Sequence, residues 1–162
     1  MRNASCCAKD RRAAWRRRRD PPALIRGHVA HCAEILGTAQ AAFEMTLEYV
    51  RARKQFGRAL SDNQIIQHRL VDLYVEQQEA RALCLATAAE STAERAAALG
   101  ARVSEVARNT WGEAIQLHGA IGMTEEYALG EYVRRLALAA DLYGSSASHL
   151  EDLAHLTLDT TA

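Results

Sequence analysis

The sequence predicts an all-α fold, an up-down four-helix bundle with a short extra C-terminal helix. Three observations carry that expectation. Apolar residues recur at helical spacing through most of the chain, no stretch alternates apolar and polar residues as a strand does, and the helical stretches are separated by short polar or glycine-bearing breaks. With 162 residues, 49% of them hydrophobic, the chain is long enough to close one such core by itself.

The first helix is expected from about 22 to 53. Pro21 and Pro22 suit a helix start, and Leu24, Ile25, Val29, Cys32, Ile35, Ala39, Phe43, Leu47 and Val50 follow at helical intervals. The stretch "RARKQFGRAL" at 51–60 reads as its end, because cations offset the negative pole of the helix dipole and Gly57 accepts a left-handed backbone.

Ser61-Asp62-Asn63-Gln64 reads as a capping box opening a second helix, which would bury Ile66, Leu70, Leu73, Ala80 and Leu83. Ser91-Thr92-Ala93-Glu94 repeats the pattern, and Val103, Val106, Trp111, Ala114 and Ile115 carry a third helix to about His118 despite Gly100. "GAIG" at 119–122 breaks it. A fourth helix is expected from Glu126 to about Ala140, and a shorter fifth from about Ala147 to Leu158, with "YGSS" between them.

Residues 1–21 form a separate segment in this reading. Arg11, Arg12 and Arg16 to Arg19 crowd into it with little apolar periodicity, so a basic, disordered tail is expected there and the bundle over 22–160. The tail has no apolar central region of the secretory type, and Asp10 and Asp20 count against a transit peptide.

Net charge is zero, which gives the molecule as a whole no electrostatic reason to bind nucleic acid or anionic lipid. No apolar run is long enough to cross a bilayer. Cys6, Cys7, Cys32 and Cys84 make no CxxC pair, which fits reduced thiols and a cytoplasmic location.

Several residues have side chains capable of chemistry. His28 and His31 lie three apart, but a metal held by one helix face needs ligands from a neighbouring helix. The only acid three residues before a histidine is Asp152, ahead of His155, so no metal site is expected. Ser145, Ser146 and Ser148 beside His149 lack a glycine elbow and an oriented third member, and are read as helix caps. Two readings stay open for Arg53 and Phe56. They end a helix, or they meet a ligand with a phosphate and a planar base, since a guanidinium donates to phosphate as a fork and stacks on rings. "QLHGAIG" at 116–122 allows close backbone approach by another chain or a ligand.

"LEYVRARKQFGRALSDNQIIQHRLVDL", "EAIQLHGAIGMTEEY" and "LYGSS", in that order and spacing, resemble the C-terminal helical domain of acyl-CoA dehydrogenases over about residues 23 to 158. The resemblance implies a domain that drives dimer and tetramer assembly and helps hold FAD, whose pyrophosphate meets the arginine of the RKQFG-like segment from a neighbouring subunit. By motif position it implies that Arg53 contacts the FAD diphosphate and that Phe56 and Gln64 lie beside the cofactor. It also implies that Gln116, Leu117, His118, Gly119 and Ala120 line the FAD nucleotide of a partner chain. Ser145 is a further candidate beside the cofactor.

The family pattern also has an N-terminal helical domain and a middle β domain, and neither has a counterpart among these residues. The base of most members is a glutamate just before the glycine of a Glu-Gly-Thr-Ser-like segment, and Tyr143 stands there. Some relatives carry that glutamate on the first helix of the domain, where Ile25 stands before Arg26. A tyrosine of ordinary pKa, about 10, is a poor base at neutral pH.

The pattern is similar to the glutamate-lacking subunit of two-component acyl-CoA dehydrogenases, such as those acting on steroid side chains. It implies a homodimer or homotetramer, or a heteromer with a fuller acyl-CoA dehydrogenase subunit, meeting acyl-CoA only through the complex. The alternative is a cofactor-free helical interaction protein derived from the same domain.

Overall fold

A computed structural model describes residues 22–124, 127–142 and 144–159, with the side chains of Met123 and Asp159 excepted. The expected tail over 1–21 lies outside the described residues, as do Cys6, Cys7, Glu126 and Tyr143. Among the described residues the fold has five α-helices: α1 Pro22–Ala52, α2 Gln64–Ala89, α3 Ala93–His118, α4 Leu129–Ala139 and α5 Ser146–Asp159. The all-α expectation holds, with one addition. Between α1 and α2 the chain makes a hairpin of two-residue strands, β1 Lys54–Gln55 and β2 Arg58–Ala59, followed by a 3-10 turn over Leu60–Asp62.

α3 is the central member and packs against each of the other four helices. Side-chain pairs fix the directions. His28 and Gly100 both meet His149 at one end of the bundle, and Tyr49 stacks on His118 at the other, so α1 and α3 run parallel. α2 runs against both, through Gln77 to Ala39 and Thr110 and through Arg69 to Glu113. α4 also runs against both, through Arg135 to Glu34 and Ser104 to Ala140.

The faces of α1, α2 and α3 meet over Ala39, Ala42, Ala80, Ala107 and Ala114, all essentially inaccessible to solvent. Side chains this small let helix axes approach closely, while Leu99, Val103, Val106, Leu129 and Leu136 fill the remaining volume. A second apolar cluster of Phe43, Val50, Leu70, Leu73 and Leu117 closes the hairpin end. Two buried polar side chains tie helices together across the core. Gln77 donates to the Ala39 carbonyl and the Thr110 hydroxyl, and Ser104 donates to the Ala140 carbonyl at 2.8 Å, tying the end of α4 to α3.

Several boundaries differ from expectation. α1 stops at Ala52, and Gly57 is left-handed because it belongs to the hairpin turn and not to a helix cap. The Ser61–Gln64 capping box does not form, because Leu60–Asp62 are already wound as a 3-10 turn. Asp62 accepts from the Ala59 amide instead, and Asn63 occupies the cap position without a side-chain bond. The second cap is shifted by one residue. The Thr92 hydroxyl accepts from the Arg95 amide, while Ser91 turns back to donate to the Thr87 carbonyl and finish α2. α4 begins at Leu129, after a bend and turn at Tyr127 and Ala128, and at 11 residues it is shorter than the 14 of α5, reversing the expected order.

Candidate functional site at the hairpin end

The residues singled out in the sequence fall at two places. Arg53, Phe56 and Gln64 gather with Gln116 to Ala120 at the hairpin end, whereas Ser145 lies at the other.

At the hairpin end, Gln55 pairs with Arg58 and leaves Phe56 and Gly57 as a two-residue loop with φ of 52° and 80°. Two consecutive positive φ values are the signature of a type I′ turn, which favours Asn-Gly. A phenylalanine there is strained by roughly 1 kcal/mol, and no burial compensates, since Phe56 is 100% exposed. Phe56→Asn is therefore expected to stabilise the fold by roughly 0.5–1 kcal/mol, read as a higher denaturant midpoint at unchanged slope. Arg53, Lys54 and Arg58 are exposed around the ring, and among the described residues none of the three makes an ion pair.

The third helix ends beside this hairpin. Gly119 closes α3 with φ 64° and donates its amide to the Ile115 carbonyl, and a side chain there would meet nothing within 4 Å. Gln116, Gly119 and Ala120 are exposed, as is Gln64 at the start of α2. Leu117 is a core residue packed with Val50 and Leu70. His118 is buried, and its Nδ1 lies 2.9 Å from the Ala114 carbonyl. A carbonyl can only accept, so Nδ1 carries the proton and Nε2 is an acceptor, buried without a partner among the described residues. Burial holds the His118 pKa below its ordinary value, against the opposing effect of the Ala114 bond.

At the far end, Ser145 caps α5, as read from the sequence. Its hydroxyl accepts from the Ser148 amide, and its carbonyl accepts from the His149 amide at 3.0 Å. The His149 ring lies so close to Gly100 that a Cβ there would stand 2.8 Å from it, and it faces His28 at 5.1 Å between ring centroids. His28 lies in the second turn of α1 and Arg53 follows the end of that helix, so about 1.5 Å of rise per residue puts Ser145 roughly 35 Å from Arg53 in one chain. A single chain does not bring them together.

The histidine cluster at that end yields a pH prediction. Burial, reinforced by His149 and His31 and opposed by a bond to the Ala96 backbone, pushes the His28 pKa down to about 4. The other titratable groups around it are Cys32, in contact with its ring, and Asp152 beside His149. The unfolded chain binds this proton more readily than the fold. Stability is therefore full above the ordinary histidine value of 6.5 and is lost as pH falls toward 4, by about 3 kcal/mol for His28. Denaturant unfolding at pH 7 and pH 4 measures the loss, and His28→Leu is expected to reduce it. No metal site accompanies these histidines among the described residues. Cys32 and Cys84 are free thiols, and burial, with Cys84 nearby, pushes the Cys32 pKa up to about 12.

Tyr49 was not singled out as a site residue in the sequence. Tyr49 sits one helical turn before Arg53, and that i, i+4 spacing was the available signal.

The model of the acyl-CoA dehydrogenase C-terminal domain matches residues 22–157. The chain belongs to the acyl-CoA dehydrogenase family. It is similar to "Acyl-CoA dehydrogenase IpdE2" of Mycobacterium tuberculosis, 34% identical over 134 residues, which cover 83% of this chain and 42% of that protein. Butyryl-CoA dehydrogenase from Megasphaera elsdenii superposes with a TM-score of 0.77 at 28% identity, covering 83% of this chain and 37% of the other. The Tcur3481-Tcur3483 steroid ACAD variant superposes with a TM-score of 0.80 at 26% identity, covering 85% and 40%. The chain thus spans about two fifths of the length of the acyl-CoA dehydrogenases it matches. Among the described residues no helix is long and apolar enough to cross a membrane.

Proposed function

We propose that this acyl-CoA dehydrogenase C-terminal domain assembles with further copies or with a fuller subunit and contributes FAD contacts, without supplying the base, in a cytoplasmic complex that oxidises acyl-CoA thioesters. The observation carrying this reading is the hairpin end itself, where three exposed cations, without carboxylate partners among the described residues, and an exposed ring stand at the same end of the bundle as an open glycine ledge.

These residues fit a dinucleotide. The Arg53 guanidinium would hold the diphosphate as a forked donor, and Phe56 and Gln64 would lie beside it. The backbone over Gly119 and Ala120 would accept a flat group at close range, flanked by Gln116, with His118 and Leu117 holding the ledge from below. Bound FAD supplies the electron acceptor for oxidation of the acyl chain. Ser145, at the far end, would meet a cofactor gripped by Arg53 of a different protomer, which makes assembly a condition of the site.

A surface for that assembly lies on α2. Val71, Tyr74, Val75 and Leu85 are exposed along one flank of the helix, beside the buried face of Leu70, Leu73, Gln77, Ala80 and Cys84. A homodimer, a homotetramer or a heteromer would cover it; the likeness to the Tcur3481-Tcur3483 steroid ACAD supports the heteromer and a steroid substrate, and the likeness to butyryl-CoA dehydrogenase supports a fatty acyl one. Lack of the base rests on Tyr143 and Ile25 at the two positions where relatives place a glutamate. The same α2 stripe supports a second reading, a cofactor-free interaction protein.

Titrating the full chain with FAD, followed by flavin absorbance and by light scattering, tests the proposal. Flavin bound to a species of two or more protomers is expected, whereas a monomer that leaves FAD free would favour the second reading.

A further inference from the structure

Arg53 and Gly119 belong to different helices, and a dinucleotide gripped by both requires a fixed spacing between them. One side chain bridges the two. The Tyr49 ring stacks on the His118 ring with centroids 4.2 Å apart and planes 24° from parallel, and its hydroxyl donates to the His118 carbonyl at 3.4 Å. That carbonyl belongs to the peptide that leads into Gly119. From the other side, the Tyr49 carbonyl accepts the Arg53 amide at 2.8 Å, and the Arg53 carbonyl accepts the Leu60 amide that closes the hairpin. A continuous path therefore runs from the hairpin through Tyr49 to the ledge.

The His118 ring is held on its remaining sides. Its Nδ1 is bound to Ala114, Tyr127 lies 5.4 Å away, and a Cβ on Gly122 would stand 2.9 Å from the His118 Cβ. A buried ring stacked on one side and bonded through Nδ1 has little room to turn, so displacement of Tyr49 is passed to the ledge.

We infer that Tyr49, seated on His118, is a positioning residue that sets the distance between the basic hairpin and the glycine ledge, and so aligns the two halves of the dinucleotide site. This rests on the FAD reading above. The ring is the larger contributor, since a stacked pair exceeds the value of one long hydrogen bond.

The test titrates the full chain with FAD by flavin fluorescence as wild type, Tyr49→Leu, Tyr49→Phe and Gly122→Ala. Amide exchange is followed in parallel at Leu60 and Gly119. Tyr49→Leu is expected to weaken FAD binding about tenfold and to speed exchange at both amides together. Tyr49→Phe, which keeps the ring, is expected to stay within about twofold of wild type. Gly122→Ala presses on His118 without touching Tyr49 and is expected to weaken binding as well, which keeps the inference testable if Tyr49→Leu fails to fold. Wild-type affinity in Tyr49→Leu, or faster exchange at only one of the two amides, would overturn it. A wild-type chain that binds no FAD would remove the FAD reading, and the paired exchange at Leu60 and Gly119 would then decide on Tyr49 alone.

Discussion

Arg53→Ala is expected to weaken FAD binding about thirtyfold, or roughly 2 kcal/mol, the typical value of hydrogen bonds to a charged group. The guanidinium is exposed and makes no ion pair among the described residues, so its donors are available to a phosphate without first breaking a salt bridge. For the same reason the substitution leaves the fold alone, and the denaturant midpoint should stay at the wild-type value. Arg53→Lys separates charge from geometry. It keeps the cation but loses the fork, and should recover only part of the affinity. Arg134→Ala is the control, an exposed arginine paired with Glu131 on α4 and remote from the hairpin, and it should bind FAD as wild type does. Isothermal titration of the four proteins at one salt concentration decides the point. Equal affinity for wild type and Arg53→Ala would remove the diphosphate from this residue.

Leu99→Ala is expected to cost about 3 kcal/mol of stability, the usual loss for a buried leucine where the surroundings relax only in part. Leu99 is wholly inaccessible on α3, the helix against which all the others pack. A cavity there reaches the contacts of several elements, and the alanine-rich seam has few long side chains that could move in to fill it. Leu138→Ala removes the same atoms from a residue 77% exposed on α4 and should change stability by less than about 0.5 kcal/mol. Thermal or urea unfolding of the pair distinguishes a packed bundle from a loosely collapsed one. Similar losses in both variants would contradict this packing.

The helices were legible because burial on one face writes a 3.6-residue rhythm into the sequence, and α1, with Val29, Cys32, Ile35, Ala39 and Phe43 turned inward, follows it over 31 residues. The hairpin was not legible. Strands of two residues are too short to show alternation, and a phenylalanine at positive φ runs against the turn preferences that announce such loops. Capping boxes misled for a related reason. Ser61 and Ser91 both have suitable neighbours, but a 3-10 turn claims the first, and the second is held by the carbonyl of Thr87 in the preceding helix. Gln77 was invisible as a core residue because its partners, Ala39 and Thr110, lie far away in sequence.

The candidate site was legible in its residue types and not in its layout. Arg53, Phe56 and the 116–122 segment carry recognisable chemistry along the chain. That they share one end of the bundle, and that Ser145 sits at the other, follows from the parallel course of α1 and α3. Nothing local in the sequence encodes that course. Tyr49 was missed because an aromatic one turn inside an amphipathic helix reads as core until its partner is known.

The central claim is that two protomers complete one dinucleotide site, and a structure of the protein crystallised with FAD tests it most directly. The account predicts the diphosphate within hydrogen-bond distance of the Arg53 guanidinium, and the Gly119 ledge of the same protomer against the nucleotide. It also predicts that any approach to Ser145 is made by a second protomer. FAD bound away from Arg53, or enclosed by one chain alone, would contradict it.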